Sequence, residues 1–378
     1  METLTIPQGI FQLARYPVYP KETLRAWDAA DEYLLRHSAE EQLLHEQTSL
    51  LIINDSFGAL SVALAAHRPQ MLSDSYLAHQ GTLANLKNNH QTPEQVQLLN
   101  SLQLPHGTPD VVLIKIPKSL AMLEDQLHRI RPLLNEKTRI IGAGMVKGIH
   151  SSTLKIFERI IGPTHTSLAA KKARLIFSQL DSSLTPGESP YPKSYTLEGH
   201  GFQITNHANV FSRDQLDIGT RFFLQHIPHN VAAQRIIDLG CGNGVVGLVA
   251  AAQCPDAELL FLDESFMATA SAEVNFRAAF ADSRQARFEV TNCLKGVPAE
   301  SADLILNNPP FHQQHAVGDI TAWQMFKESR KILRSGGELM VVGNRHLAYH
   351  TKLKRLFGNC NMVASNKKFV VLRAVKEG

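Results

Sequence analysis

The feature that most restricts the fold of this chain is a pattern written twice. Under an ungapped shift of 184 residues, Leu51-Ile52-Ile53-Asn54-Asp55-Ser56-Phe57-Gly58 lies over Arg235-Ile236-Ile237-Asp238-Leu239-Gly240-Cys241-Gly242. Three further landmarks follow in the same order. Met71-Leu72-Ser73-Asp74 matches Leu260-Phe261-Leu262-Asp263, and residues 110–117 match residues 303–310. Gly162 precedes Lys171-Lys172 by nine residues, as Gly358 precedes Lys367-Lys368. Ordered self-similarity marks a duplicated structural unit. Within each copy, short apolar runs alternate with helical patterns, the signature of an α/β fold around a mostly parallel sheet.

At 378 residues the chain suits two domains better than one core. Residues 181–195 carry three prolines, a glycine and five Ser/Thr, the composition of an exposed connection. We therefore expect a first domain over 1–185, a linker over 186–198 and a second domain over 199–378. In the second, strands are expected at 235–239, 259–263, 287–291, 304–307, 338–343, 360–364 and 368–374. Helices are expected at 244–252, 265–280 and 320–334.

Composition narrows the function classes. Apolar content of 44% and charged content of 19% are those of a globular protein. The start shows no basic segment followed by an apolar one, and no apolar run approaches the roughly 20 residues that span a bilayer. Neither a membrane partner nor a signal peptide is expected. The four cysteines form no C-x-x-C pair, and the 17 histidines show no ligand spacing, so no metal is expected. Reduced thiols fit a cytoplasmic protein. The net charge of +3 is too small to argue for nucleic acid. Its distribution says more: residues 319–378 hold twelve Lys/Arg against four Asp/Glu. Such a basic end is compatible with a phosphate-bearing partner, and equally with a solvated surface.

Residues 236–244, IIDLGCGNG, read as an apolar strand running into a glycine-rich turn. Glycines 240, 242 and 244 permit positive φ and leave room for a ligand against the backbone. Open parallel sheets bind ligands beyond the carboxyl ends of their strands, where this loop falls. Residues 242–247 also satisfy G-x-G-x-x-G, which alone is a weak dinucleotide signal. Asp238 argues against a pyrophosphate, which it would repel, and for the ammonium of S-adenosylmethionine. Asp263, at the end of the next strand, can accept ribose hydroxyls of either cofactor. Asn292 after the third strand could meet an adenine edge, and Asp217-Ile218-Gly219-Thr220 could close over the methionine end. The candidate cofactor set is Asp217, Gly219, Asp238, Gly240, Cys241, Gly242, Gly244, Asp263 and Asn292. A glycine turn without ligand is the plainer alternative.

At the end of the fourth strand stands Asn308-Pro309-Pro310-Phe311, the candidate catalytic group. An exocyclic amine on a heteroaromatic ring is a poor nucleophile because its lone pair is delocalised. The Asn308 oxygen and the Pro309 carbonyl can both accept hydrogen bonds from that NH₂, stabilising charge as it develops. The prolines stiffen the loop, and Phe311 offers a flat face for an extruded base. Phe311 as core filling and the whole segment as an ordinary turn are the competing readings. Candidate contacts for substrate or its phosphates are His312, His315, Arg345, Lys352, Lys354, Arg355, Lys367 and Lys368, with Lys171, Lys172 and Arg174 in the first copy. Under the shift of 184 that copy has Ser56 for Gly240, Ala59 for Asn243 and Leu60 for Gly244, and the match of 110–117 with 303–310 puts Lys115 for Asn308. Its glycines have gained side chains, so it reads as non-catalytic.

With these residues in place, the chain resembles the bacterial ribosomal RNA guanine-N2 methyltransferases of the RlmG/RsmC family, most of all the large-subunit members. The resemblance spans both halves and is strongest in AWDAADEYLL, NHANVFSRDQLDIGTRFF, DLGCGNGVVGL, NNPPFHQQHA and GNCNMVASNKKFVVLRAVK. It implies two tandem Rossmann-like class I methyltransferase domains, each a mostly parallel seven-stranded sheet flanked by helices, with the N-terminal copy degenerate and assisting RNA binding. It also implies S-adenosylmethionine as cofactor, 23S ribosomal RNA as partner and guanine N2 as target. The chain is expected to be a monomer, although nothing in the residues fixes the oligomeric state. The residues alone leave open a 16S rRNA guanine, a protein glutamine N5, and a non-catalytic RNA-binding assembly factor.

Overall fold

The computed structural model describes residues 1–19, 22–229, 233–310 and 315–378. The chain divides between Tyr191 and Pro192 into two compact units. The first opens with a hairpin, β1 (Glu2–Ile6) and β2 (Gly9–Leu13), and helix α1 (Ala29–Glu40). There follow β3 (Leu50–Ile53), α2 (Ala59–Ala63), β4 (Gln70–Ser73), α3 (Tyr76–Asn88), β5 (Gln97–Asn100) and β6 (Val111–Lys115). The unit closes with α4 (Leu120–Ile130), β7 (Arg139–Met145), α5 (Ser151–Ile160), β8 (Thr164–Thr166) and β9 (Ala173–Ser178).

The second unit repeats the same list. A hairpin, β10 (Lys193–Thr196) and β11 (Gln203–Asn206), leads to α6 (Ile218–Leu224), β12 (Arg235–Leu239), α7 (Val245–Gln253), β13 (Glu258–Asp263) and α8 (Phe266–Phe280). Then come β14 (Ala286–Val290), β15 (Ala302–Asn307), α9 (His315–Ile332), β16 (Leu333–Asn344), α10 (Tyr349–Phe357), β17 (Asn361–Ser365) and β18 (Phe369–Val375). Strands 193–196 fall inside the stretch expected as linker; they pair with β11 because Ser-Tyr-Thr alternates towards a half-buried face.

The two sheets have the orders β5-β4-β3-β6-β7-β9-β8 and β14-β13-β12-β15-β16-β18-β17. The first five strands of each run parallel, and β9 and β18 are antiparallel to both their neighbours. Central strands β3 and β12 are buried on both faces, which is why they read as unbroken apolar runs. In the second unit one core layer gathers Ile236, Leu304, Leu306, Met340 and Val342 under α6, α7 and α8. The other gathers Ile237, Leu239, Ile305 and Val341 under α9 and α10.

The duplication is real, but two of its landmarks are displaced. Asn54 N donates to Leu72 O as Gly240 N donates to Leu262 O. Gly58 begins α2 in the left-handed region as Gly244 begins α7. Asn85 Nδ2 donates to Phe57 O as Asn275 Nδ2 donates to Asn243 O. The loop therefore aligns two residues further on than the ungapped shift: Asn54, Asp55, Ser56 and Phe57 stand for Gly240, Cys241, Gly242 and Asn243, while Gly58 is retained. Likewise Ser73, the last residue of β4, stands for Asp263, the last residue of β13. Lys115 over Asn308 and Lys172 over Lys368 hold as expected, by the strand pairings Ile53–Ile114 and Leu239–Asn307 and the bonds Val146 N to Lys172 O and Arg345 N to Lys368 O.

Candidate active site

In the second unit the carboxyl ends of β12, β13 and β15 converge where the central strand's neighbours diverge, the place open α/β sheets use for ligands. After β12, Gly240, Gly242 and Gly244 take φ of +70°, +54° and +79°. A Cβ on Gly244 would stand 2.8 Å from the Ala272 Cβ, so this glycine lets α7 and α8 close. Around the Cβ direction of Gly242 nothing lies within 4 Å; here the backbone is left bare towards open space.

Two carboxylates hold this loop. Asp238 is buried and accepts Gly247 N–H at 2.7 Å on Oδ2. Burial pushes its pKa up to about 7, against the pull of that N–H and with help from the Asp263 charge. Asp263 Oδ2 accepts Gly242 N–H at 2.9 Å, and Oδ1 accepts Ser265 N–H at 3.0 Å. Cys241 is buried, and burial raises its thiol well above the ordinary value, so it serves as a small apolar filler. Asn292 is buried just beyond β14, its Oδ1 3.5 Å from Gln324 Nε2. A bare, positive-φ backbone flanked by two carboxylates and carrying no basic residue fits S-adenosylmethionine better than a pyrophosphate cofactor.

At the end of β15 two adjacent asparagines face opposite ways. Asn307 is fully buried and donates to Leu239 O at 2.7 Å, tying β15 to β12. Asn308 donates its Nδ2 to Thr220 Oγ1 at 2.9 Å. The Thr220 hydroxyl in turn lies 3.3 Å from Asp217 Oδ2, which also caps α6 by accepting Thr220 N–H at 2.8 Å. Asp217, expected at the methionine end, thus belongs to a chain of hydrogen bonds ending on Asn308. Gly219 lets α6 press onto β18, since a Cβ there would lie 2.9 Å from the Phe369 ring. The Asn308 Oδ1 is buried and has no partner among the described residues. An orphaned buried acceptor is uncommon and marks a place where a ligand donor belongs.

Pro309 is buried and Pro310 half-buried. Phe311 and His312 lie outside the described residues, and the side chain of His315, the first residue of α9, does too. Asn307 and Asn344, the latter at the end of β16, also carry a buried Oδ1 without a partner among the described residues. By strand alternation Asn344 projects from the same face as Met340 and Val342, and Asn308 from the face of Leu304 and Leu306, both under α6.

The first unit fills the same stations differently. Asp55 Oδ1 accepts Gly58 and Ala59 N–H at 3.0 Å each, and Oδ2 accepts Ser61 N–H at 2.8 Å, so a carboxylate occupies the amides at the head of α2. Lys115, at the station of Asn308, pairs with Asp28 at 2.8 Å and Asp31 at 2.7 Å. Burial would lower the Lys115 pKa, but these two charges outweigh it and raise it. Burial lifts buried Asp31 to about 6 even so. At the station of Asn308 the first unit thus has a paired cation in place of an open acceptor.

The basic candidates spread over both units. Arg345, Lys367 and Lys368 are exposed just beyond the paired ends of β16 and β18, the end of the sheet that carries Asn308. On α10, Lys354 and Arg355 are exposed, Arg355 lying 5.5 Å above the Trp323 ring, while Lys352 pairs with Asp319. In the first unit Lys171 and Lys172 are exposed with positive φ, and Lys171 pairs with Glu32 at 2.9 Å. Arg174 is partly buried, its Nε without a partner among the described residues. Thr220 was expected only within the 217–220 stretch closing over the methionine end, and Asn344 only as a substrate or RNA-backbone contact after the fifth strand; neither was expected as a partner or companion of Asn308. Asp217 and Thr220 carry the D-x-x-T spacing of a helix cap, which could have flagged the first but not its bond across 88 residues.

A seven-stranded sheet of this order, with a glycine loop after its central strand and Asn-Pro-Pro after the adjacent one, defines an S-adenosylmethionine-dependent methyltransferase domain, built twice here and complete once. Residues 1–182 match the family described as RLMG N-terminal domain, and residues 201–373 the Methyltransferase small domain. The "Ribosomal RNA large subunit methyltransferase G" of Streptomyces avermitilis is 54% identical over 381 residues, covering 100% of both chains. That of Aeromonas salmonicida is 50% identical over 365 residues, covering 96% of each. Among solved structures, the T. thermophilus 16S rRNA N2 G1207 methyltransferase (RsmC), in complex with AdoMet and guanosine, shares the fold with a TM-score of 0.75 at 19% identity, covering 100% of this chain and 98% of that one. The chain belongs to the ribosomal RNA large subunit methyltransferase G family.

Proposed function

We propose that the second unit methylates the exocyclic N2 of a specific guanine in 23S, large-subunit ribosomal RNA. The observation that carries this is the buried, unpartnered Oδ1 of Asn308 at the end of β15. The name shared by the curated relatives supports large-subunit ribosomal RNA as the substrate. The resemblance to guanine-N2 methyltransferases, and the donor-rich N1–H/N2–H₂ edge of guanine, support the base.

Asp238, Gly240, Cys241, Gly242, Gly244, Asp263 and Asn292 would hold S-adenosylmethionine, with Gly219 setting α6 against the site. Bound there, the cofactor supplies an electrophilic methyl on a sulfonium, whose bonding pair stays with sulfur on transfer. Asn308 Oδ1 and the Pro309 carbonyl accept hydrogen bonds from the two N2 hydrogens, holding the amine lone pair away from the ring and stabilising positive charge as nitrogen acquires its fourth bond. Pro309 and Pro310 fix the backbone that presents these acceptors, and Phe311 provides the stacking face. A general base is not needed before transfer, because the methylated nitrogen can release a proton to solvent afterwards. Arg345, Lys367 and Lys368, with His312, His315, Lys352, Lys354 and Arg355, contact phosphates around the site. The first unit, through Lys171, Lys172 and Arg174, adds RNA affinity without chemistry. One copy of the chain carries every residue named.

Incubating the purified protein with methyl-labelled cofactor, protein-depleted large-subunit RNA and whole subunits tests this. Label is expected in RNA. Label in protein with RNA unlabelled would instead support glutamine N5 transfer.

A further inference from the structure

We propose that Thr220, backed by Asp217, is a positioning residue that sets which end of the Asn308 amide faces the substrate amine. The proposal rests on the reading of Asn308 as an amine acceptor. Direction follows from the donor inventory. The Asp217 carboxylate can only accept, so the single Thr220 hydroxyl proton is given to it across the 3.3 Å contact. The Thr220 oxygen then has only lone pairs to offer, and Asn308 must present its NH₂ at 2.9 Å. The Asn308 oxygen is thereby turned to the unpartnered side. The opposite rotamer would set Oδ1 against the lone pairs of Thr220 and the NH₂ against the substrate's own NH₂, donor facing donor.

The first unit supplies an independent observation. Its stations equivalent to Asp217, Thr220 and Asn308 are Asp28, Asp31 and Lys115, the cap, the third residue and the strand end. There the hydroxyl is replaced by a carboxylate 2.7 Å from the lysine, a group that neutralises a cation and cannot pass on a direction. Threonine stands where an amide must be oriented, aspartate where a charge must be balanced. The backing is firm in the second unit, because Gly219 seats α6 directly on the Phe369 ring.

Three variants test this in the full chain. Thr220→Val keeps the shape and removes the hydroxyl; kcat for RNA methylation is expected to fall ~10–100-fold, with KM for RNA, cofactor affinity and melting temperature unchanged. Thr220→Ser should restore kcat to within about threefold. Thr220→Val combined with Asn308→Ala should be no slower than Asn308→Ala alone, since both act through one group. A second readout needs no substrate: the Asn308 side-chain amide resonance, identified by its loss in Asn308→Ala, should exchange slowly in wild type and Thr220→Ser and fast in Thr220→Val. An unchanged kcat or exchange rate in Thr220→Val, additive losses in the double variant, or a loss of cofactor affinity equal to the loss of kcat would overturn the proposal. Were wild type to methylate no RNA, the substrate reading would fall while the amide exchange still decided the relay.

Discussion

Lys115 and Asn308 stand at the same station of two sheets with the same strand order. Each follows the residue that pairs with the last position of its central strand, Ile114 against Ile53 and Asn307 against Leu239. One is a mostly buried ammonium held by two carboxylates; the other leaves a buried oxygen with no donor among the described residues. The chemistry of the chain is divided between its copies at this position.

Removing the open acceptor should remove the reaction but not the cofactor. Asn308→Ala is expected to lower kcat by about 10²–10³, the scale of losing one transition-state hydrogen bond. Equilibrium titration should show S-adenosylmethionine affinity within about twofold of wild type, because Asn308 is bonded to Thr220 and not to the glycine loop.

The first unit should behave as a closed copy. Calorimetry is expected to find one cofactor per chain. Lys115→Met should cost ~3–5 kcal/mol of that unit's stability, because Asp31 and Asp55 are left buried without their cation. The loss in denaturant midpoint should be smaller at pH 5 than at pH 8, since Asp31, already at about 6, can take up a proton. Equal losses at both pH values would contradict this.

Asp238 ties stability to pH. Its folded value of about 7 lies above the ordinary 3.8, so the folded chain keeps a proton that the unfolded chain has released. Stability is therefore fully present below about pH 4 and is lost as pH rises through 7. Asp238→Asn should flatten that part of the unfolding profile and raise stability relative to wild type at pH 8, not at pH 4. Parallel profiles would refute the assignment.

Asn344 should bear on the choice of base. Its unpartnered oxygen shares the face of Asn308, and guanine offers an N1–H beside its amino group. Asn344→Leu is expected to slow transfer to guanine about tenfold or more while leaving transfer to 2-aminopurine, which lacks that N–H, much less affected. The ratio of the two rates in RNA with a single acceptor measures it.

Much of this was legible in residues. The seven strands of the second unit fall where their apolar runs lie, Arg235–Leu239 to the residue and β16 extended at its start by five. Helix α9 begins at His315 rather than 320, a glycine and an aspartate in its first six residues having obscured the start. The glycine loop, Asp263 and Asn308 all reach the carboxyl ends expected of them. What failed was register. Leu51-Ile52-Ile53-Asn54 lies over Arg235-Ile236-Ile237-Asp238 in the ungapped alignment but over Ile237-Asp238-Leu239-Gly240 in the structure, because a strand buried on both faces has no alternation to fix its phase. Asp238, the penultimate residue of its strand, was mistaken for the counterpart of Asn54, the first residue after β3. Thr220 was legible only as part of the 217–220 stretch, because its bond to Asn308 reaches 88 positions along the chain. Local spacing shows the cap and not the relay.

The most direct test is the modified-nucleoside content of large-subunit ribosomal RNA from cells lacking this protein, then supplied with the wild-type chain or with Asn308→Ala. One N2-methylguanosine should be missing from the deleted cells, return with the wild-type chain, and stay missing with the variant. An unchanged N2-methylguanosine content in the deleted cells, or its full restoration by Asn308→Ala, would contradict the account.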